Sequence, residues 1–475
     1  MSFGARVAII GGGIGGAAAA HAVREQLPDA EIVILEGADR LGGKLSVLEI
    51  AGVTVDVGAE AILNRRPEGV ALARAVGLAE RVVHPAATTA GIWTRGAVRP
   101  MPPTVMGVPS DVAALAESGV ISRRGLLRVR ADVPRRAPRT DVSVGDYVRS
   151  RVGGEIVDRI VEPLLGGVYA GHASRLSLQA AAPQIAALAA RDGTLVRAAA
   201  ESRRQAEQSA VGVPEPVFAG LVGGVGQLPE AVAEAAGAHV RLKATVRELS
   251  RTGPSGRWRL TVGPTTQPET IEADAVIIAT PAPAAGRLVA ASSPPAARML
   301  REIEYASMAI VTIAVGAGEP AHRMTGSGFL VPPVEGRSIK AATYSSRKWG
   351  WLDQAAPDVV LVRTSIGRAG ETALLQREDG ELISLAMEDL SAAVGLRGPL
   401  VDAHVQRWGG ALPQYNVGHL ERVDAIEASI ADVPGLELCG AAYRGVGVPA
   451  VIATAQAAAG RVVDHLRRAA EHAGQ

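Results

Sequence analysis

The residues of this chain best suited to chemistry are glycines rather than acids or bases. Gly11-Gly12-Gly13-Ile14-Gly15-Gly16 matches G-x-G-x-x-G, and it stands between a short apolar run, Arg6 to Ile10, and a stretch of helix-forming composition, Ala17 to Leu27. In that setting Gly11 allows a tight turn, Gly13 lets backbone approach a pyrophosphate, and Gly16 lets helix and strand pack closely. With Ile14 and Gly15 they open a helix whose N-terminus offers free N–H groups to phosphate oxygens. Glu36 lies twenty residues beyond Gly16, at the end of a second apolar run, Glu31 to Leu35. A carboxylate there accepts ribose hydroxyls and repels a 2′-phosphate, which disfavours NADP. NAD and FAD share this pattern. Arg40-Leu41-Gly42-Gly43-Lys44 adds a glycine pair and two cations directly after Glu36, a loop able to enclose a permanently bound FAD. Near the other end, Leu436 to Cys439 meets Gly440, then Gly445-Val446-Gly447, and a helix is predicted from Val448-Pro449-Ala450, proline suiting its first turn. Such a helix N-terminus stabilises negative charge on a flavin ring by about 1 kcal/mol.

Other catalytic arrangements are missing from the sequence. There is no Ser-His-Asp logic, no H-E-x-x-H and no metal-ligand spacing, so no catalytic side chain and no metal site are assigned, and the nine histidines are read as structural. The single cysteine, Cys439, excludes an intramolecular disulfide and suits a reducing cytoplasm. Redox chemistry therefore needs a bound cofactor. A formal net charge of +1 gives no bulk attraction to nucleic acid. The apolar run at Val7 to Ile10 is too short for a signal peptide, and no segment reaches the roughly 18 apolar residues of a membrane span. A cytoplasmic protein, at most peripheral at a membrane, is expected.

Elements must carry these residues. A chain of 475 residues exceeds the roughly 250 to 300 at which one core stops growing, so two or three units are expected. Residues 6 to 36 read as a βαβ unit, and Leu45 to Ile50 with Val53 to Val57 as a hairpin around Ala51-Gly52. Residues 85 to 215 turn Pro-, Arg- and Ala-rich with helical periods, as in Val144 to Val152 and Ile156 to Leu165. Asp274 to Ala279 is an apolar strand ending in Thr280-Pro281. Ala309 to Val315, Ser338 to Thr343 and Val359 to Ile366 read as strands, with a helix over Gly370 to Val394. The fold class expected is α/β: a discontinuous Rossmann-like FAD-binding domain (1–85, 220–285 and 405–475), a second α+β substrate domain (86–95, 210–219 and 286–404), and a helical insertion (96–209) facing the substrate as a lid or facing a membrane. In that insertion Arg123, Arg124, Arg128, Arg130, Arg135, Arg136 and Arg139 crowd together with Leu126 and Leu127. A solvated face, steering of an anionic substrate and contact with an anionic membrane all fit them.

Over nearly its whole length the chain resembles the protoporphyrinogen/coproporphyrinogen oxidases, within the amine-oxidase-like flavoproteins. The first glycine turn, Glu36, Arg40 to Lys44 and Val57-Gly58-Ala59-Glu60 are shared with the wider superfamily. More specific are Val161-Glu162-Pro163-Leu164-Leu165-Gly166-Gly167-Val168-Tyr169-Ala170-Gly171, then Gly326-Ser327-Gly328-Phe329-Leu330-Val331-Pro332. Arg407-Trp408, Pro413-Gln414-Tyr415, Val417-Gly418-His419 and Tyr443-Arg444-Gly445-Val446-Gly447 look like the family's C-terminal pattern. The resemblance implies FAD as cofactor and a porphyrinogen as substrate, oxidised by six electrons in heme biosynthesis, with dioxygen as acceptor and hydrogen peroxide released. It adds Gly58, Ala59, Glu60, Val246 and Trp408 to the cofactor residues, and Tyr169, Phe329, Leu330 and Lys340 as substrate residues. Some family members acting on protoporphyrinogen carry an arginine where Met106 stands before Gly107. The difference favours the tetracarboxylate coproporphyrinogen III over protoporphyrinogen IX. An amine oxidase or desaturase of the same superfamily, or a non-catalytic FAD- or NAD-binding module, are the competing readings. Self-association stays open.

Overall fold

Five short strands, drawn from residues 6 to 438, lie side by side in parallel. Their order is His239–Arg241, Glu31–Leu35, Arg6–Ile10, Ala275–Ile278 and Leu436–Leu438. Register is set by pairs such as Arg6 with Glu31, Val7 with Ala275, and Val276 with Leu436. Strands buried on both faces read as continuous apolar runs, which is why the three inner ones, Glu31–Leu35, Arg6–Ile10 and Ala275–Ile278, carry little alternation. Val7 and Ile9 face helices Ile14–Gln26, Leu228–Ala235 and Val448–Ala473, whereas Ala8 and Ile10 face the opposite core. That second core is closed by an antiparallel sheet, Val246–Arg251, Trp258–Val262 and Glu269–Ala273, and by helices Ala282–Leu288, Pro294–Arg301 and His419–Ala431. The computed structural model describes residues 4–209, 216–252, 256–318 and 324–473.

A seven-stranded sheet forms the second body. Its order is Leu400–Pro413, Tyr305–Gly316, Val359–Ile366, Ile339–Tyr344, Gly328–Leu330, Gly91–Thr94 and Ala97–Pro100, antiparallel except where Gly328–Leu330 meets Gly91–Thr94. Helix Asp379–Val394 covers one face. It starts nine residues later than expected because Glu378 caps it, its carboxylate and that of Glu381 completing a capping box. Three expected divisions cut continuous elements, 219/220 inside strand Phe218–Leu221, 285/286 inside helix Ala282–Leu288 and 404/405 inside strand Leu400–Pro413, and a fourth, 95/96, splits a hairpin. Leu400–Pro413 pairs along the length of Tyr305–Gly316 and so crosses 404/405, and Ala97–Pro100 is the sheet's edge strand rather than part of the insertion.

The hairpin Val47–Ile50/Val53–Asp56 turns at Ala51 (φ 52°) and Gly52 (φ 78°), both in the left-handed region that a tight hairpin turn needs. Helices from Val112–Ser118 to Leu195–Ser209 build the insertion around their own core. Inside it Arg151 pairs with Asp132 at 3.0 Å, both buried, while the second Asp132 oxygen accepts from Leu195 N and Val196 N.

Candidate functional site

The C-terminal ends of four parallel strands open on one cavity of about 740 Å³. Ligands of open α/β sheets bind at such ends. Gly11, Gly13, Ile14 and Gly15 line it from the first turn, Glu36 from the second strand, Ala279 and Thr280 from the third, and Gly440 from the fourth. The two glycine turns, at opposite ends of the sequence, thus face the same space.

Local geometry explains each glycine differently. Gly11 has φ 111°, and a Cβ on Gly16 would lie 1.9 Å from the Gly11 carbonyl oxygen, so Gly16 serves helix–strand contact and does not reach the cavity. A Cβ on Gly13 would meet only the Gly42 oxygen at 3.9 Å and would otherwise fill the cavity. Gly42 N donates to Gly12 O at 2.8 Å, which lays the second glycine pair along the first. Gly42, Gly43 and Lys44 line the cavity as a result.

Glu36 is held by backbone. Its Oε2 accepts from Gly12 N at 2.6 Å and its Oε1 from Ala38 N at 2.7 Å, leaving a lone pair on each oxygen for two hydroxyls. Lys44 has no ion pair or side-chain hydrogen bond among the described residues, and burial lowers its pKa. An unpaired cation beside a nest of N–H groups suits an anionic diphosphate. Carboxylate at one end, open glycine backbone in the middle and cation beyond fit an FAD, in a cavity of ligand-binding size.

Ala59, Val246, Trp408 and Val448 also line the cavity. The other expected cofactor residues do not. The Arg40 guanidinium donates to the carbonyls of Leu41 and Gly43 at 2.9 Å each, stapling its own loop. Gly58 packs on the Lys44 carbonyl, a Cβ there lying 2.0 Å from it. Glu60 turns to the seven-stranded sheet, pairing with Lys348 at 2.5 Å and with Arg363. Burial alone would raise its pKa, but the two cations bring it down to about 2. Gly447, Pro449 and Ala450 shape the start of the last helix behind the lining residues Val446, Val448 and Val451.

Sequence reading missed Ala244, Thr245, Pro281, Ala284, Arg287 and Gly409 to Leu412, which also line the cavity. The strand end at Thr280-Pro281 was the available signal, since it had to open beside the glycine turn.

The expected substrate residues lie elsewhere. Phe329 is buried in the sheet's core between Trp93 and Tyr344, with ring centroids 5.9 and 6.1 Å away, so it is a packing residue and not a wall. Its neighbour Leu330, on the opposite face by strand alternation, meets Gly167 of helix Glu162–Tyr169. Lys340 is buried beside that helix, its Nζ 3.4 Å from the Gly166 oxygen and 3.9 Å from Met308 Sδ. Met308 is the cross-strand partner of Trp408, which lines the cavity. A Cβ on Gly166 would meet nothing within 4 Å. Tyr169 is buried, its ring 5.4 Å from that of Tyr415. Met106 adopts φ 47° and packs on the insertion's core. No helix among the described residues is long and apolar enough to cross a membrane.

Comparison with known proteins agrees with this geometry. The family model for flavin containing amine oxidoreductases matches residues 16–463. A coproporphyrinogen III oxidase of Mycobacterium tuberculosis is 37% identical over 469 residues, 96% of this chain and 97% of that protein. One of Bacillus subtilis is 30% identical, covering 97% and 98%. A crystal structure from Exiguobacterium sp. 255-15 superposes with a TM-score of 0.85 at 30% identity, covering 98% of this chain and 99% of that one. Cyclohexylamine oxidase from Brevibacterium oxydans, 16% identical with a TM-score of 0.68, shares the fold. With its fingerprint turn, Glu36 and second glycine turn gathered on one cavity, the chain belongs to the flavin containing amine oxidoreductase family.

Proposed function

We propose that this protein is an FAD-dependent porphyrinogen oxidase of heme biosynthesis, with coproporphyrinogen III as substrate and dioxygen as final acceptor. The observation that carries the reading is a buried lysine amine with no carboxylate in hydrogen-bond reach, Lys340, beside the open backbone of Gly166 and one residue from the cavity wall. A flat macrocycle with carboxylate arms brings both what the glycine helix admits and the counter-charge that Lys340 lacks. Full-length similarity to proteins named coproporphyrinogen III oxidase supports the same substrate.

Bound FAD would supply the redox chemistry, as acceptor of hydrogen and electrons from a methylene bridge of the porphyrinogen, with dioxygen reduced to hydrogen peroxide. The chain binds, orients and excludes water. Glu36 would hold the ribose and the glycine turns and Lys44 the diphosphate, in a cavity that Trp408 and Gly409 to Leu412 also line. Lys340, which touches Met308, the cross-strand partner of the cavity residue Trp408, is the group assigned to a carboxylate arm of the macrocycle. Aerobic incubation of the FAD-loaded protein with coproporphyrinogen III is expected to yield porphyrin fluorescence and peroxide. Preference for protoporphyrinogen IX, or equal turnover of both, refutes the substrate assignment.

A further inference from the structure

Three backbone groups of the C-terminal glycine turn end on two stacked rings. The Tyr415 hydroxyl accepts from Gly445 N and donates to the Ala441 oxygen, each at 2.7 Å. His419, fully buried, stacks on Tyr415 with centroids 3.8 Å apart and planes 15° apart. Its Nε2 lies 2.9 Å from the Tyr443 oxygen, and since a carbonyl only accepts, that nitrogen carries the proton. Its Nδ1 has no partner among the described residues, as suits a neutral ring whose pKa burial lowers to about 4. Gly440, Ala441 and Val446 of the clamped turn line the flavin cavity. Gly445 sits at φ 138°, so the turn's shape depends on what holds it.

The same segment is sewn to the helical insertion. Ser177 N donates to the Tyr415 oxygen at 2.7 Å, Val417 N to the Arg175 oxygen at 3.1 Å, and Gly418 N to Asp141 Oδ2 at 2.9 Å. Gln414 Nε2 donates to the Tyr169 oxygen at 2.7 Å. The Tyr415 ring belongs to the insertion's core while its hydroxyl belongs to the turn. We propose that Tyr415, backed by His419, is a positioning residue that fixes the second glycine turn against the flavin and ties that turn to the helical insertion. A tyrosine kept for packing alone would place its ring where it is and leave both turn groups to other partners.

Tyr415→Phe keeps the ring and removes both turn bonds. Apoprotein titrated with FAD, followed by flavin fluorescence, is expected to show Kd raised about tenfold, the equivalent of one buried hydrogen bond. The holoprotein is expected to show shifted visible bands and a shifted flavin midpoint potential. Wild-type Kd, spectrum and potential in this variant overturn the proposal, whatever happens to Tm. If Tyr415→Phe fails to fold, His419→Leu, which removes the donor to Tyr443, carries the same expectations and the same refutation. Asp141→Ala frees Gly418 N–H on the insertion side. A smaller spectral shift in the same direction is expected, and an unchanged spectrum removes the link to the insertion. These readouts concern flavin alone, so a wild type that binds FAD yet leaves porphyrinogens untouched overturns the substrate reading and not this one.

Discussion

Lys340→Met takes a positive charge out of a buried site that offers it one long hydrogen bond and a thioether contact. Burial, and then repulsion from Arg368, brings the amine down from 10.5 to about 7, with Glu371 acting weakly the other way. A lysine whose folded pKa is lowered binds fewer protons in the folded state. Wild-type stability therefore rises with pH between about 7 and 10.5, and the penalty is largest below that window. At pH 7 the penalty is about 4 kcal/mol, since each tenfold weakening of proton binding is worth about 1.4 kcal/mol. Methionine matches the stem, has no charge to bury, and has Met308 as a neighbour. A chain of this length unfolds with an entropy of about 1 kcal/mol/K, so the variant's Tm is expected about 4 °C above wild type at pH 7. The gain should shrink toward zero near pH 10.5, where wild-type lysine is neutral in the folded state and half neutral in the unfolded one. Thermal unfolding of the FAD-loaded protein at several pH values measures this. The same substitution should raise KM for coproporphyrinogen III about tenfold or more, one lost charge-assisted hydrogen bond. A variant no more stable than wild type at pH 7, or a difference in Tm independent of pH, refutes the reasoning about Lys340.

Glu60→Gln breaks the bridge to Lys348 and Arg363. The folded pKa is depressed from 4.5 to about 2, so its contribution of about 3 kcal/mol is full above pH 4.5 and fades as pH falls toward 2. Denaturation should show that loss at neutral pH, with FAD affinity unchanged; an affinity loss without a stability loss would put Glu60 at the cofactor after all. Glu36→Gln sets an NH₂ against one of two N–H groups that now meet carboxylate oxygens, and FAD titration should show Kd raised ten- to a hundredfold. Arg123, Arg124, Arg130, Arg135, Arg136 and Arg139 are exposed and make no ion pair among the described residues, near exposed Leu127 and Val133. Flotation with phosphatidylserine vesicles should show binding at low salt that is lost at high salt, at about 1 kcal/mol per arginine near the surface; no binding at low salt leaves a solvated face.

The parallel sheet and both glycine turns were legible because each rests on a local rule. An apolar run ends, a glycine follows where backbone must approach something, and a helix begins. Glu36 was legible by its spacing from Gly16. What depended on packing between distant segments was not. Glu60 stands one residue from Ala59, which lines the cavity, and only the strand bearing Arg363 and the residue Lys348 decide that its carboxylate points away. Phe329 and Leu330 are adjacent in sequence, and strand alternation sends one to the core and the other to the helix. Arg40 looked like a phosphate ligand by charge and place, yet nearby carbonyls in its own loop captured its guanidinium. Arg287 gave no pattern at all, since its place at the cavity follows from where helix Ala282–Leu288 starts after its strand.

The strands around the cavity are contributed by residues 6 to 438, and its final wall is the start of the last helix, Val448–Ala473. During synthesis the first turn leaves the ribosome more than four hundred residues before its counterpart. Folding of so non-local a sheet is slow, and unpaired strand edges invite aggregation until it is complete. Loading with cofactor therefore has to wait until the second glycine turn and the helix after it have been made, and a polypeptide truncated before residue 436 is expected to emerge colourless and dependent on chaperones.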